Sequence, residues 1–168
     1  MANIAKIKQW DIANGEGIGV SVYFSGCDKE PKCKGCFNSE IWDFNAGEPF
    51  TKDTYKQIFE MLKNPHVNHL AILGGEPLAR ENFGAVRALC VMVKNYFPDK
   101  KVWLWTHYRW EQMGEMLDLI HGLVDVLIDG EYIEEQRDLT LKWRGSSNQR
   151  VIDVAKSLEQ EKIVLYKD

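Results

Sequence analysis

The stretch LAILGGEP, residues 70–77, begins as a short apolar run and ends in two glycines, a carboxylate and a proline. The apolar run predicts a buried strand, and the two glycines predict a tight turn at its end. Apolar residues recur at helical spacing before this strand, over residues 55–62, and after it, over residues 83–97. A strand enclosed between two amphipathic helices is typical of an α/β protein with a parallel sheet.

The same alternation continues outward in both directions. Towards the N-terminus, residues 4–10 and 19–24 predict a hairpin or two neighbouring strands. Towards the C-terminus, the patterns predict strands over 101–105, 124–128 and 163–166, and helices over 110–120 and 151–158. A complete eight-stranded β/α barrel needs about 250 residues, and this chain has 168. The predicted fold is therefore α/β, either an open sheet or a partial barrel of mostly parallel strands.

The amino-acid composition is typical of a globular protein. Hydrophobic residues make up 45% and charged residues 27%, and the length fits one domain over residues 1–168. The net charge of −4 gives no reason to expect binding to nucleic acid or to an anionic membrane. No apolar run approaches the ~18 residues that a membrane span requires. The N-terminus also lacks the apolar core of a signal peptide, so a cytoplasmic location is expected.

Three of the four cysteines lie within ten residues, at Cys27, Cys33 and Cys36. The reducing cytoplasm disfavours disulfides, so the three thiols need another explanation. Thiolates on one short loop suit an iron–sulfur cluster, a zinc ion completed by a distant histidine, or a redox pair of Cys33 and Cys36. The loop alone leaves these alternatives open. Cys90 falls on the apolar face of a predicted helix and is expected to be a buried core residue.

The loop also carries three lysines, Lys29, Lys32 and Lys34. Positive charge beside a thiol favours the thiolate. We therefore expect these lysines to favour the metal-binding form of the cysteines and to offset part of a cluster's negative charge.

Four conspicuous segments follow predicted strands: the cysteine loop, residues 74–77, residues 106–108 and residues 129–130. Ligands of α/β proteins bind beyond the C-terminal ends of parallel strands, so these segments are expected to converge on one site. The polar run WRGSSNQR, residues 143–150, is expected to be a loop. Composition alone favours a solvated turn for it.

Taken together, the motifs resemble those of the radical S-adenosylmethionine superfamily. The features that carry this resemblance are a strand that leads into a three-cysteine loop ending in Cys-x-x-Cys, and Gly-Gly-Glu-Pro after the next strand. Within the superfamily, residues 36–39, 124–130 and 143–150 resemble the activating proteins of anaerobic ribonucleoside-triphosphate reductase. The likeness covers residues 10–154.

Two features depart from the usual pattern. Five residues separate Cys27 from Cys33, where three are usual. An aromatic residue often precedes the last cysteine, but here Gly35 holds that place and Phe37 follows the cysteine. These departures change the path of the loop and leave all three thiols in place.

The resemblance implies a partial, radical S-adenosylmethionine type of β/α barrel with one 4Fe–4S cluster. Cys27, Cys33 and Cys36 would each bind one iron, and S-adenosylmethionine would bind the fourth. Eight residues would border the cofactor: Gly35, Cys36, Phe37, Gly74, Gly75, Glu76, Thr106 and Asp129. Among them, the Glu76 carboxylate would accept hydrogen bonds from the ammonium group of the methionyl end.

The resemblance also implies an oxidoreductase. One electron from an external donor such as flavodoxin would cleave S-adenosylmethionine to methionine and a 5′-deoxyadenosyl radical. That radical would remove a hydrogen atom from a glycine of the reductase, which would dock over the strand ends. The cofactors would carry the chemistry, so no side chain is expected to act as a catalytic acid or base.

Three other functions would also use the cysteine loop. Two belong to the same superfamily: an activase of another glycyl-radical enzyme, of the pyruvate formate-lyase type, and a small-molecule enzyme of the carboxy-deazaguanine synthase type. Chain length and residues 143–150 argue against both. The third is a zinc-binding interaction module without catalytic activity, which metal analysis would distinguish from an enzyme.

Overall fold

Seven strands and five α-helices follow one another in the computed structural model, which describes residues 1–167. Asp168, the last residue of the expected domain, lies outside the described residues. The strands are β1 (Asn3–Asp11), β2 (Gly19–Phe24), β3 (Glu48–Pro49), β4 (His69–Gly74), β5 (Lys101–Trp105), β6 (Val126–Asp129) and β7 (Arg150–Asp153). The helices are α1 (Lys52–Leu62), α2 (Arg80–Tyr96), α3 (Trp110–Met113), α4 (Glu115–Ile120) and α5 (Val154–Gln160).

All seven strands belong to one sheet with the order β3-β1-β2-β4-β5-β6-β7. The four central strands, β2, β4, β5 and β6, are parallel to one another. At one side β1 pairs antiparallel with β2 and β3, and at the other β7 pairs antiparallel with β6. The predicted α/β class and parallel sheet are confirmed, and so is the predicted hairpin of the first two strands. Because the central strands run in the same direction, the loops that follow them lie along one edge.

In the four central strands and in β7, side chains alternate between the two faces of the sheet, as the period of two in a strand requires. One face carries residues such as Val22, Ile72 and Leu104, which form the main hydrophobic core with all five helices. The opposite face carries a smaller cluster that includes Tyr23 and Trp103. The helices therefore cover one face only, and loops cover the other.

The first two predicted helices are confirmed. α1 begins after Thr51, whose hydroxyl accepts a hydrogen bond from the amide of Thr54 and so satisfies a free N–H of the first turn. Ile58 and Leu62 of its predicted apolar stripe are buried. Cys90 of α2 is 2% exposed within the main core, as predicted.

Three predictions for the C-terminal third need correction, although α3, α4 and α5 confirm most of the two helices predicted there. The expected helix 110–120 is interrupted at Gly114, whose φ of +51° is incompatible with a continuous helix. Residues 151–153 lie in β7, not in a helix, because the β-branched Val151 and Ile152 pack on opposite faces of the sheet. Residues 163–166 form no regular strand; the only ladder contact found for them in residues 1–167 is a single bridge from Leu165 to Ile152.

No helix within residues 1–167 is both long enough and apolar enough to cross a bilayer. The short strand β3 was not predicted from the sequence, and it pairs with the start of β1.

Candidate functional site

A cavity of about 390 Å³ lies where the central strands end. All four segments that were expected to converge contribute to its wall, through Cys27, Gly74, Thr106 and Gly130 among others. Pockets for small molecules and cofactors usually measure about 300–1,000 Å³. The volume of the cavity is therefore within the range of a site for a small organic ligand.

The three clustered cysteines all line this cavity. Each of them is partly buried and forms no disulfide. The amide of Cys36 donates a 3.3 Å hydrogen bond to the carbonyl of Cys33, so these two residues occupy one tight turn. Cys90 lies apart in the core beneath the sheet. Three free thiols that face one cavity are a donor set for a soft metal centre.

Two of the loop lysines favour the thiolates as expected, Lys32 at Cys27 and Lys29 at Cys33, but burial of the thiols outweighs their effect on the pKa. Burial raises the pKa of Cys27 to about 11 and also raises the pKa of Cys33. Lys29 is paired with Glu131 at 2.8 Å and Lys32 with Glu30 at 2.6 Å, so carboxylates offset part of the positive charge near the thiols. Without metal these two thiols are protonated at pH 7. Metal binding must therefore release protons and will strengthen as the pH rises.

Gly74 and Gly75 line the cavity and permit a close approach of two chain segments. A Cβ on Gly74, whose φ is +124°, would lie 2.3 Å from the carbonyl oxygen of Phe24. A Cβ on Gly75 would lie 2.1 Å from that of Gly26. Hydrogen bonds from the amide of Gly75 to Phe24 (2.9 Å) and from that of Glu76 to Gly26 (2.7 Å) fasten the end of β4 to the start of the cysteine loop.

Glu76 does not reach the cavity wall in this structure. It is fully buried, and its carboxylate accepts hydrogen bonds from the amides of Leu78 (2.8 Å) and His107 (2.7 Å) and from the hydroxyl of Thr106 (2.8 Å). Burial raises the pKa of Glu76 to about 7, although the hydrogen bonds oppose the rise. Glu76 therefore acts on the cavity through residues 106–107, which do line it.

The structure keeps two further predicted residues out of the cavity lining. Asp129 is 1% exposed, and its carboxylate is taken up by the guanidinium of Arg150 and the amide of Trp110. Gly35 has a φ of +74° and packs against the carboxylate of Glu134. Their neighbours Gly130 and Cys36 occupy the wall instead.

Phe37, in contrast, lines the cavity and is 52% exposed. Its ring centroid is 4.8 Å from that of Tyr132, and the guanidinium of Arg137 lies 5.5 Å from the ring centroid. These two rings form an aromatic wall with enough open surface to stack on a planar ligand.

The polar run 143–150 is not a free surface turn. The side-chain amide of Asn148 donates a 2.8 Å hydrogen bond to the carbonyl of Glu131, and the side-chain amide of Gln149 donates one of 3.0 Å to the carbonyl of Gly130. Arg144 lines the cavity while its guanidinium donates to the carbonyl of Gln149 at 2.6 Å. The segment is thus folded onto the end of β6 and closes one side of the cavity.

The sequence interpretation missed several residues of the cavity wall, including Asn14, Tyr23, Trp42, Trp105 and Tyr132. Tyr23 and Trp105 each lie at the end of a central strand on the face without helices. The alternation along each strand was a signal that could have located both. Asn14 comes from the loop between β1 and β2 and donates to the hydroxyl of Tyr23 at 3.0 Å, a contact that no local pattern predicts.

The matching family model describes a 4Fe–4S single cluster domain, and it covers residues 13–152. Three curated relatives all bear the name anaerobic ribonucleoside-triphosphate reductase-activating protein. The one from Vibrio cholerae serotype O1 is 37% identical over 141 residues, which is 83% of this chain and 90% of the relative. The one from Escherichia coli strain K12 is 35% identical over 143 residues, 84% of this chain and 92% of the relative. The one from Enterobacteria phage T4 is 37% identical over 151 residues, which is 89% of this chain and 92% of the relative.

No solved structure matches the chain. The three free thiols at the cavity are a donor set that fits the iron–sulfur cluster of the matching family.

Proposed function

The chain belongs to the anaerobic ribonucleoside-triphosphate reductase-activating proteins, and on this premise we propose that it generates the glycyl radical of such a reductase with S-adenosylmethionine and one 4Fe–4S cluster. When bound together and supplied with one electron from an external donor, these cofactors would cleave S-adenosylmethionine to methionine and a 5′-deoxyadenosyl radical, which would take a hydrogen atom from glycine and leave as 5′-deoxyadenosine. The observation that carries the proposal is the convergence of three free thiols and the two glycines of the Gly-Gly-Glu-Pro turn on one cavity.

Cys27, Cys33 and Cys36 would hold the cluster, because each of them is unpaired and faces the cavity. The backbone of Gly74 and Gly75 would face the methionyl end, and the Thr106 hydroxyl would lie beside it. Phe37 would pack on the adenine. Three of the predicted contacts would act indirectly: Gly35 by shaping the turn before Cys36, Glu76 by fixing residues 106–107, and Asp129 by fixing the end of β6.

We also propose that residues 1–168 form one radical S-adenosylmethionine domain with the fold of a partial β/α barrel. The supporting observation is that all five helices pack on one face of the sheet. Open doubly wound sheets carry helices on both faces, whereas barrels carry them outside only. A partial barrel would leave a mouth through which a loop of the reductase could enter. We propose flavodoxin or a similar one-electron donor as the reductant and the cytoplasm as the location.

The zinc-binding module remains as a second candidate because of one observation. Ligand atoms of Cys27, Asp28 and His107 lie within 4.8 Å of one another, which would suit a zinc ion. This set uses only one of the three clustered thiols and leaves Cys33 and Cys36 unexplained. The iron–sulfur cluster accounts for all three.

One anaerobic assay tests the proposed function. Purified protein is reconstituted with iron and sulfide, reduced, and supplied with S-adenosylmethionine and the reductase. We expect about four irons per chain, formation of 5′-deoxyadenosine, and the EPR doublet of a glycyl radical on the reductase. A sample that binds one zinc per chain, rejects iron and forms no 5′-deoxyadenosine would contradict the proposal in favour of the zinc module.

Residues 143–150 provide a narrower test of the cavity. Arg144→Ala removes a cation from the cavity wall, and Asn148→Ala removes the hydrogen bond that holds the segment to Glu131. Each change should weaken S-adenosylmethionine binding or glycyl-radical yield about tenfold, the worth of one good hydrogen bond. Ser147→Ala, an exposed position in the same loop, is the matched control and should behave as wild type. Unchanged binding and yield in both test variants would remove this segment from the site.

A further inference from the structure

The five residues between Cys27 and Cys33 form an arm with its own internal structure. The ammonium group of Lys32 donates to the carbonyls of Cys27 (2.7 Å) and Lys29 (2.9 Å) and pairs with Glu30. Lys29 donates to the carbonyl of Pro31 at 2.7 Å. These contacts close the longer arm on itself, so it is folded as a compact turn.

Asp28 connects this arm to the loop after β5. One carboxylate oxygen lies 2.8 Å from Nε2 of His107, and the other accepts a 2.6 Å hydrogen bond from the hydroxyl of Tyr108. The two rings lie side by side, with centroids 4.2 Å apart. Both oxygens of Asp28 are therefore engaged, and both partners come from one rigid loop.

That loop is itself fixed to the core. The amide of His107 donates to the buried carboxylate of Glu76 at 2.7 Å. The amide of Tyr108 donates to the hydroxyl of Thr106 at 3.2 Å, and the carbonyl of Tyr108 accepts from Gly130 at 3.0 Å. A chain of hydrogen bonds thus runs from the Gly-Gly-Glu-Pro turn through His107 to the residue next to Cys27.

Asp28 and His107 could instead bind a metal together with Cys27, since ligand atoms of these three residues lie within 4.8 Å of one another. The hydrogen bonds argue against that use. The Asp28 oxygens and His107 Nε2 are already paired with each other and with Tyr108, and a ligating role would break those pairs. The arrangement fits groups that orient a ligand from outside the metal centre.

We propose that Asp28, held by His107 and Tyr108, is a positioning residue for Cys27. It fixes the first cysteine of the loop against the end of β5, and so keeps the Cys27 thiol in the ligand set although the arm to Cys33 is longer than usual. This inference rests on the proposed iron–sulfur function. It adds Asp28, a residue of the cysteine loop that is not itself a ligand, and two residues outside that loop, His107 and Tyr108.

The test is the rate at which the reconstituted, anaerobic protein loses iron to an excess of a ferrous chelator. Changes beside a metal site commonly cost 10–100-fold in metal affinity, so Asp28→Ala should release iron about 10–100-fold faster than wild type. Tyr108→Phe removes a single hydroxyl and should give a smaller increase, about threefold to tenfold. Asp28→Asn keeps one accepting oxygen and should fall between wild type and Asp28→Ala.

Glu30→Gln is the matched control, because Glu30 lies in the same arm and its carboxylate contacts only Lys32 among residues 1–167. It should release iron at the wild-type rate. The EPR spectrum of the reduced cluster, recorded for each variant, supplies a readout that a general loss of stability would not alter. We expect a changed spectrum in Asp28→Ala and an unchanged one in Glu30→Gln.

The outcomes separate the two proposals. If the wild type takes up no iron, the proposed function itself fails. If the wild type holds a cluster and Tyr108→Phe and Asp28→Asn release iron at its rate with its spectrum, the positioning role is overturned. Faster release in both, with thermal unfolding midpoints near wild type, supports it even if Asp28→Ala fails to fold.

Discussion

Replacing Cys33 with alanine is expected to yield a folded protein that retains no intact 4Fe–4S cluster and forms no glycyl radical. The thiol is partly buried at the cavity and packs in neither hydrophobic cluster, so the fold does not depend on it. A cluster that keeps only two protein thiolates loses one of its anchors. We expect radical yield to fall by at least about 100-fold, and Cys27→Ala and Cys36→Ala to behave alike.

Iron content, visible absorption and radical yield measure this effect. The control is Cys90→Ala, which removes the fourth cysteine from the core behind the sheet. That variant should lose some stability, about 1 kcal/mol for a small buried group, and keep its iron. Full iron content in any of the three loop variants, or loss of the cluster in Cys90→Ala, would show that the ligand set has been assigned incorrectly.

The second large effect is expected from Gly75→Ala. The new methyl group would lie 2.1 Å from the carbonyl oxygen of Gly26 and 2.6 Å from its carbon. Both are backbone atoms with no rotamer to change, so the end of β4 must move away from the residue before Cys27. Forced overpacking costs about 1–3 kcal/mol, and a shift of about 1 Å at a site can cost about 100-fold in rate.

We therefore expect Gly75→Ala to lower the free energy of unfolding by about 3 kcal/mol and 5′-deoxyadenosine formation by about 100-fold. Gly84→Ala is the matched control. Gly84 lies within α2, where an added methyl group would meet no atom within 4 Å beyond its chain neighbours and the nearby backbone of its own helix, and alanine is the better helix former. It should unfold at or above the wild-type temperature with full activity. A Gly75→Ala protein of wild-type stability and activity would contradict the close approach described above.

Sequence patterns were sufficient for the central part of the fold, because its signals are local. The apolar run before Gly74 reflects a buried strand, and the stripe containing Ile58 and Leu62 reflects the buried side of an otherwise largely exposed helix. The C-terminal third gave weaker signals. Val151 and Ile152 fit a helix pattern or a strand equally well, and their pairing with β6 decided between the two.

The candidate site was predicted in outline for the same reason. Strand ends and cysteine spacing are visible in the sequence, so the convergence around Cys27 and Gly74 was predictable. The direction of a buried side chain is not visible there. Glu76 turns away from the cavity because residues 106–107, thirty positions later, supply its hydrogen-bond donors. The carboxylate of Asp129 likewise accepts a hydrogen bond from the guanidinium of Arg150, which is brought close because Arg150 is the first residue of β7.

The two faces of the sheet have a consequence for how this protein can diverge. Neighbouring residues of one strand, such as Ile72 and Leu73, belong to different clusters, one beneath the helices and one beside the cavity. Substitutions on the face beside the cavity can change the shape of the cavity, while the main hydrophobic core beneath the helices keeps its packing. Loss of a single residue inside β4 would exchange the two roles along the rest of the strand. Lineages should therefore tolerate exchanges within these strands and reject indels, whose accepted places are the loops beyond the strand ends.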